Sequence, residues 1–165
     1  MVTQLAKAHV IVVSDRIIAG QRADKASPTG VAMLEEAGFE VAETTIVPEG
    51  YDAVSHAMAQ SLNDDTHLIL TCGGTGLGAR NLTPEATGDI ITTRLEGLER
   101  QILLEGLKNS SHAGLSRGIV GLTRRDHRGT LIVNAPSSTG GVKDALTVII
   151  SVWPNIAERL GVPGI

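Results

Sequence analysis

The sequence has few aromatic residues and no excess of basic ones. Its 165 residues include one phenylalanine, one tyrosine and one tryptophan, too few for the stacking platforms that bind single-stranded nucleic acid. The formal net charge of −4 and the isoelectric point near 5.7 also lack the basic footprint of nucleic-acid-binding proteins. We therefore expect no nucleic-acid partner, and we expect a core built from aliphatic side chains.

Cysteine and long apolar runs are also scarce. Cys72 is the single cysteine, so an internal disulfide is excluded and a reducing compartment is expected. The apolar runs are too short for a membrane span, and the N-terminal residues lack the pattern of a secretory signal. These features predict a cytoplasmic protein with no membrane partner, and the length predicts one domain over residues 1–165.

Short apolar runs alternate with helical patterns along the chain. The predicted strands are residues 10–13, 41–47, 68–71, 118–122 and 131–133. The predicted helices are residues 28–37, 53–62, 84–107 with an interruption near Gly97, and 142–160 with a kink or break at Pro154. This alternation is typical of βαβ units, so we expect a three-layer α/β/α sandwich with a mostly parallel sheet.

Glycines crowd the segment that follows the predicted strand 68–71. Gly73, Gly74, Gly76 and Gly78 can adopt backbone angles closed to other residues, and their N–H groups can approach a ligand without an intervening side chain. Thr83 is predicted to cap the helix that follows. The segment predicts a glycine loop that holds an anion at a helix N-terminus, and a tight turn without a ligand is the alternative.

Two further loops follow predicted strands, and in an open parallel sheet such loops gather at the carboxyl edge where ligands bind. Ser14, Asp15 and Arg16 end the first strand, and residues 134–141 follow the last one. The hydroxyl groups of Ser137 and Ser138, with the glycine amides after them, predict a second anion cradle. A capped helix start is the alternative interpretation.

Four segments together resemble the MoaB/Mog family of molybdenum-cofactor biosynthesis proteins. They are the glycine loop with its Thr-Pro-Glu-Ala tail at 83–86, the Ser-Asp-Arg strand end at 14–16, the Leu-Ser-Arg-Gly segment at 115–118, and the loop around Asn134 and Pro136. The resemblance implies a three-layer α/β fold, a homotrimer and molybdopterin as ligand. In active members it further implies transfer of adenylate from Mg-ATP to the terminal phosphate of molybdopterin.

The resemblance also implies roles for individual residues. Substrate binding is expected of residues in all three loops, namely Ser14, Asp15, Arg16, Gly73, Gly74, Thr75, Gly76, Arg80, Thr83, Pro136, Ser137 and Ser138. Asp15 and Asp24 are the candidate ligands for Mg²⁺, which takes one or two carboxylates together with waters and phosphate oxygens. Asn81 and Glu49 occupy the positions associated with catalysis.

Several positions depart from the family pattern. Asn81 replaces an aspartate and carries no charge, whereas Glu49 replaces an aspartate and keeps the charge on a longer arm. Arg100 stands where an acid is usual, and Gly140 stands where the family loop has a lysine. Three hypotheses therefore remain open: a molybdopterin adenylyltransferase with altered site chemistry, a non-catalytic molybdopterin-binding relative, and a generic phosphate-binding module on the same fold.

Overall fold

A sheet of seven strands runs through the part of the chain that the structure describes, residues 4–63 and 65–165 of a computed structural model. The strands are β1 (Lys7–Val13), β2 (Glu40–Val41), β3 (Thr45–Val47), β4 (Leu68–Cys72), β5 (Thr93–Arg94), β6 (Val120–Leu122) and β7 (Leu131–Ala135). Their order is β2-β1-β4-β7-β6-β5, and β3 also pairs with β1. Strands β1 to β4 and β7 are parallel, whereas β6 is antiparallel to its neighbours β5 and β7.

Helices cover both faces of the sheet. They are α1 (Asp15–Ile18), α2 (Ala26–Ala37), α3 (Tyr51–Asn63), α4 (Thr83–Gly88), α5 (Glu96–Leu107) and α6 (Thr139–Leu160). Alternate strand residues face opposite sides, so Leu70 packs with the α2 and α6 side and Ile69 with the α3 and α4 side. The predicted three-layer α/β/α architecture with a mostly parallel sheet is confirmed.

Three predicted elements differ from the structure. The strand predicted at 41–47 is two short strands, β2 and β3, which pair with different parts of β1. The helix predicted at 84–107 is two helices separated by β5, because pairing with β6 draws this segment into the sheet. The break predicted at Pro154 is wrong. Helix α6 continues through this exposed residue, where solvent can satisfy the carbonyl that the missing N–H leaves free.

The long C-terminal helix is anchored by the only tryptophan of the sequence. Trp153 is fully buried, its ring lies 5.1 Å from that of Phe39, and its Nε1 donates to the Pro163 carbonyl at 3.2 Å. Packing inside one subunit therefore accounts for this residue. Among the described residues, no helix is both long and apolar enough to cross a membrane.

Candidate functional site

The three loops predicted to converge do meet at the carboxyl ends of β1, β4 and β7. The Ser14 amide donates to the Val47 carbonyl at 3.0 Å, and the Gly73 amide donates to the Ala135 carbonyl at 2.9 Å. A cleft of about 1210 Å³ opens beside these strand ends, and residues of all three loops line it. The parallel registers of β1 with β4 and of β4 with β7 bring the loops to one edge.

Most of the residues predicted to bind substrate line this cleft: Ser14, Arg16, Gly74, Thr75, Gly76, Pro136, Ser137 and Ser138. Both residues at the catalytic positions, Glu49 and Asn81, line it as well. Asp15, Gly73, Arg80 and Thr83 lie outside the lining. Their binding roles, like those of the lining residues, stay predictions, and their contacts show how they support the loops.

The glycine loop, residues 73–82, is built on two glycines that no other residue can replace without strain. Gly73 and Gly74 have φ values of +109° and +70°. A Cβ atom on Gly73 would collide with the Val13 carbonyl oxygen, and one on Gly74 would collide with the Thr83 hydroxyl. The backbone therefore passes β1 and α4 at a distance that leaves no space for a side chain.

Thr83 does not cap α4 as predicted. Leu82 occupies the N-cap position and makes no side-chain cap hydrogen bond. The buried Thr83 hydroxyl instead donates to the Gly73 carbonyl at 3.0 Å, and the Thr83 amide donates to the Gly74 carbonyl at 3.1 Å. The cap prediction failed because long-range contact with the loop competes for the same hydroxyl, and Thr83 closes the glycine loop.

Four consecutive amides of the glycine loop remain available. Within the described residues, the N–H groups of Gly74, Thr75, Gly76 and Leu77 donate no hydrogen bond to the protein. Gly78 differs, because its amide donates to the Asn81 Oδ1 at 3.1 Å. A run of free backbone N–H groups in a concave loop is a typical binding site for phosphate oxygens.

The loop at the start of α6 has a different construction. Ser138 is the N-cap residue of α6, and its hydroxyl accepts a hydrogen bond from the Gly141 amide at 3.0 Å. Arg22 reaches this loop from the segment after α1 and donates to the Ser137 carbonyl at 3.3 Å and hydroxyl at 3.4 Å. The capped helix start, one of the two interpretations of this loop, is present, and Arg22 is a cleft-lining cation that the sequence reasoning missed.

Glu49 and Asn81 form a direct pair in the cleft. The Asn81 Nδ2 donates to the Glu49 Oε1 at 2.6 Å, while the Asp15 amide donates to the Glu49 Oε2 at 3.3 Å. Because Asn81 also accepts from the Gly78 amide, both ends of its side chain are engaged. The pair thus presents one oriented carboxylate to the cleft.

Arg80 is bound to protein groups. Its Nε and Nη2 donate to the two Asp15 carboxylate oxygens at 3.0 and 3.2 Å, and its Nη2 also donates to the Glu49 carbonyl at 2.7 Å. The hydrogen bond from Arg80 lowers the pKa of the Asp15 carboxyl below its usual value. Arg80 therefore joins the first strand end to the glycine loop.

The two predicted Mg²⁺ ligands have different partners. Asp15 is paired with Arg80, whereas the Asp24 carboxylate accepts from the Ser27 amide at 3.0 Å and from the Ser27 hydroxyl, which fixes the first turn of α2. Over residues 4–63 and 65–165, no group of three or more histidine, cysteine or acidic side chains is placed to hold a metal ion. The Asp15 and Asp24 ligand pair stays a prediction, and Glu49 is a carboxylate that lines the cleft.

Comparison with known proteins settles the family. Residues 9–156 match the family model described as "Probable molybdopterin binding domain". The chain belongs to the MoaB/Mog family of molybdenum-cofactor biosynthesis proteins. The resemblance inferred from the loops is therefore confirmed.

Individual relatives of this MoaB/Mog domain support the same family assignment. It is 32% identical over 147 residues to a molybdopterin adenylyltransferase of Haemophilus influenzae, covering 87% of this chain and 73% of the relative. It is 33% identical to the molybdenum cofactor synthesis protein cinnamon of Drosophila melanogaster, covering 70% of this chain but 19% of that longer protein. A solved structure described as "Putative molybdenum cofactor biosynthesis protein from Corynebacterium diphtheriae" superposes with a TM-score of 0.87 at 50% identity, covering 94% and 97% of the two chains.

The four residues expected from the resemblance to depart from the MoaB/Mog pattern lie around one cleft. Asn81, Glu49, Arg100 and Gly140 all line it. Arg100 follows Glu99, another lining residue, whose carboxylate accepts two hydrogen bonds from Arg94 at 2.8 and 2.9 Å. On the family pattern expected from the resemblance, positions 81, 100 and 140 would alter the charge of the site, whereas Glu49 would keep it.

Proposed function

We propose that this protein binds molybdopterin in the cleft as a step of molybdenum-cofactor biosynthesis, with the terminal phosphate on the glycine loop. The observation that carries the proposal is the run of free N–H groups from Gly74 to Leu77. The chain that contains these amides matches the family model described as "Probable molybdopterin binding domain". The amides lie beside a cleft that is large enough for a pterin. Backbone amides suit a phosphate because several consecutive N–H groups can donate hydrogen bonds to its oxygens.

We further propose that the protein transfers adenylate from Mg-ATP to this phosphate. An oxygen of the molybdopterin phosphate forms a bond to the α-phosphorus of ATP, the bond from that phosphorus to the bridging oxygen breaks, and pyrophosphate leaves. The glycine loop holds the attacking phosphate, and Arg22 and Arg16 supply positive charge at the cleft. Mg²⁺, when bound, would offset phosphate charge, and the Glu49 carboxylate fits its preference for oxygen ligands.

Binding without transfer is the second candidate. The neutral Asn81 favours it, since the cleft then holds one carboxylate at this point instead of two. In either case we propose a cytoplasmic homotrimer. Exposed leucines on α5, with Leu104 at 63% exposure and Leu107 at 46%, support association. Light scattering on the purified protein should give three times the monomer mass of 17.2 kDa.

Pyrophosphate release separates the candidates. We expect release when the protein is mixed with molybdopterin, Mg²⁺ and ATP, and a decrease of about 100-fold in rate for Glu49→Gln. Glu158→Gln is the matched control, because Glu158 is exposed on α6 and lies outside the cleft lining. Pterin binding without pyrophosphate would establish the non-catalytic candidate. Absence of pterin binding would contradict both and leave a generic phosphate-binding module.

Asn81→Asp tests whether the missing carboxylate limits the rate. We expect this change alone to bring no gain in the rate of pyrophosphate release. The new carboxylate would replace the Asn81 amide group, whose Nδ2 now donates to the Glu49 Oε1 at 2.6 Å. Two carboxylates at that distance repel each other unless they share a proton, so the pair would not offer two full negative charges. Combining it with Glu49→Asp shortens the facing arm, and we expect the double variant to release pyrophosphate faster than either single one. A gain from Asn81→Asp alone at pH 7 would contradict the coupling.

A further inference from the structure

The segment at residues 115–118 contacts the glycine loop through Arg117. The Arg117 amide donates to the Thr75 carbonyl at 2.8 Å, its Nε donates to the Gly76 carbonyl at 2.9 Å, and its Nη2 donates to the Asn81 carbonyl at 2.6 Å. The neighbouring Ser116 hydroxyl lies 3.1 Å from the Thr75 hydroxyl. One residue therefore binds three carbonyl groups of a loop about forty positions earlier in the chain.

These bonds determine where the free amides of the loop point. The peptide bonds of the described residues are all trans, so the C=O and the N–H of one peptide group point in opposite directions. The Thr75 carbonyl shares its peptide group with the Gly76 amide, and the Gly76 carbonyl shares its group with the Leu77 amide. Because Arg117 binds both carbonyls, both N–H groups are directed away from Arg117.

Arg117 itself has little capacity left for an anion. Its Nη1 donates to the Glu85 Oε1 at 2.5 Å, and its Nη2 lies 3.4 Å from the Glu85 Oε2. The hydrogen bond from Arg117 lowers the pKa of the Glu85 carboxyl, so the charge of the guanidinium is balanced within the protein at neutral pH. Its contacts with the loop, rather than its charge, are what it contributes to the site.

We propose that Arg117 is a positioning residue that sets the Gly76 and Leu77 amides for the phosphate of the ligand. This inference rests on the proposed function for its ligand, and on the geometry of the loop for its mechanism. This role distinguishes Arg117 from Arg22 and Arg16. Those two arginines line the cleft, but among the described residues neither donates a hydrogen bond to a carbonyl of the glycine loop. The positioning requires a planar, forked donor, because Gly76 and Asn81 are bound by different nitrogens of one guanidinium.

Arg117→Lys and Arg117→Ala test the proposal against Arg124→Ala. Arg124 is the matched control, since it also pairs with an acid, Asp126 at 2.6 Å, but lies outside the cleft lining. We expect both Arg117 variants to weaken molybdopterin binding by about tenfold or more, the equivalent of about 1.4 kcal/mol. Lysine should not restore molybdopterin binding, because one ammonium group cannot replace the two guanidinium nitrogens that bind the Gly76 and Asn81 carbonyls. The Arg124 variant should bind like the unaltered protein.

Amide resonances supply a second measurement that needs no ligand. In a ¹⁵N-labelled protein, Arg117→Lys should shift the Leu77 signal most, because the Arg117 side chain binds the Gly76 carbonyl while its backbone amide, which the substitution keeps, binds the Thr75 carbonyl. The amides of α6 should stay unchanged. If the Leu77 signal stays in place, or if a folded Arg117→Ala protein binds molybdopterin within twofold of the unaltered protein, the positioning role is overturned. Failure of the unaltered protein to bind molybdopterin would instead overturn the proposed function, and the resonance test would still decide the geometry. Should Arg117→Ala not fold, Arg117→Lys and Ser116→Ala carry the comparison.

Discussion

The glycine loop and the loop at the start of α6 have similar compositions and different backbone conformations. Both follow buried parallel strands, β4 and β7, and both are rich in glycine and hydroxyl side chains. In the glycine loop, Gly73 and Gly74 have positive φ and no space for a Cβ atom. In the second loop, a Cβ atom on Gly140 would meet no other atom within 4 Å, whereas one on Gly141 would collide with the Pro136 ring. The φ values of both glycines lie outside the left-handed region.

The hydrogen bonds show why this difference matters. In the glycine loop, the Thr83 hydroxyl and Arg117 bind carbonyls, so side chains orient the peptide groups whose N–H groups are free. In the second loop, the Ser138 hydroxyl binds the Gly141 amide, and the Ser138 carbonyl accepts from the Val142 amide at 3.1 Å. Glycine content alone does not identify an anion site. The two loops differ in which groups near their glycines are bound by side chains: the Gly73 and Gly76 carbonyls in the first, and the Gly141 amide in the second.

The largest difference in stability between the two loops should come from alanine substitutions at Gly73 and Gly140. Gly73→Ala places a Cβ against the Val13 carbonyl oxygen at a φ of +109°, and we expect a loss of roughly 3 to 5 kcal/mol in the free energy of unfolding. Gly140→Ala should be neutral or raise it by about 0.5 kcal/mol, because alanine restricts the unfolded chain and meets open space. Urea unfolding measures both. Equal losses would contradict the distinction between the loops.

Hydroxyl deletions sharpen the comparison at a smaller scale. Thr83→Val keeps the shape but leaves the Gly73 carbonyl without its buried donor, for an expected loss of about 2 kcal/mol and weaker ligand binding. Ser138→Ala removes a helix cap, for an expected loss of about 1 kcal/mol. Unfolding and molybdopterin titration measure the two effects separately. Thr83→Ser is the control, since it retains the hydroxyl, and a Thr83→Val protein with unaltered binding would contradict the role of Thr83 in shaping the loop.

The fold was largely predictable because its signals are local. Short apolar runs located the longer strands β1, β4 and β7, and the apolar stripe of α6 located its helix. The two-residue strands β2 and β5 were not predicted as separate elements, because pairing with β1 and β6 creates them and no local pattern indicates it. Of the kink or break predicted at Pro154, the break does not occur, because burial of the stripe outweighs one missing hydrogen bond.

The sequence predicted where the site lies in the fold, but it predicted few of the contacts between its residues. The order of strands and glycines brought the three loops to one edge, as the registers of β1, β4 and β7 bear out. The engagement of Arg80 by Asp15 and the link from Arg117 to the glycine loop depend on residues far apart in sequence. Arg22 could not be found either, because its contact with Ser137 spans 115 positions.

The smallest effect on stability, and the sharpest test of the second loop, is expected from Gly140→Lys. The side chain enters open space at the first turn of α6, so the gain from replacing a helical glycine is offset by a cation near the helix N-terminus, to within about 0.5 kcal/mol. The change introduces the lysine that the resemblance leads us to expect at this position and adds a positive charge to the cleft lining, where we expect tighter binding of the doubly charged phosphate by about threefold. Gly140→Gln is the control, because it has a long polar side chain without charge. Titration with molybdopterin at two salt concentrations measures the difference, since binding gained through charge weakens as salt rises. If the lysine and glutamine variants bind equally, the second loop is a capped helix start and no more, and the glycine loop alone holds the phosphate.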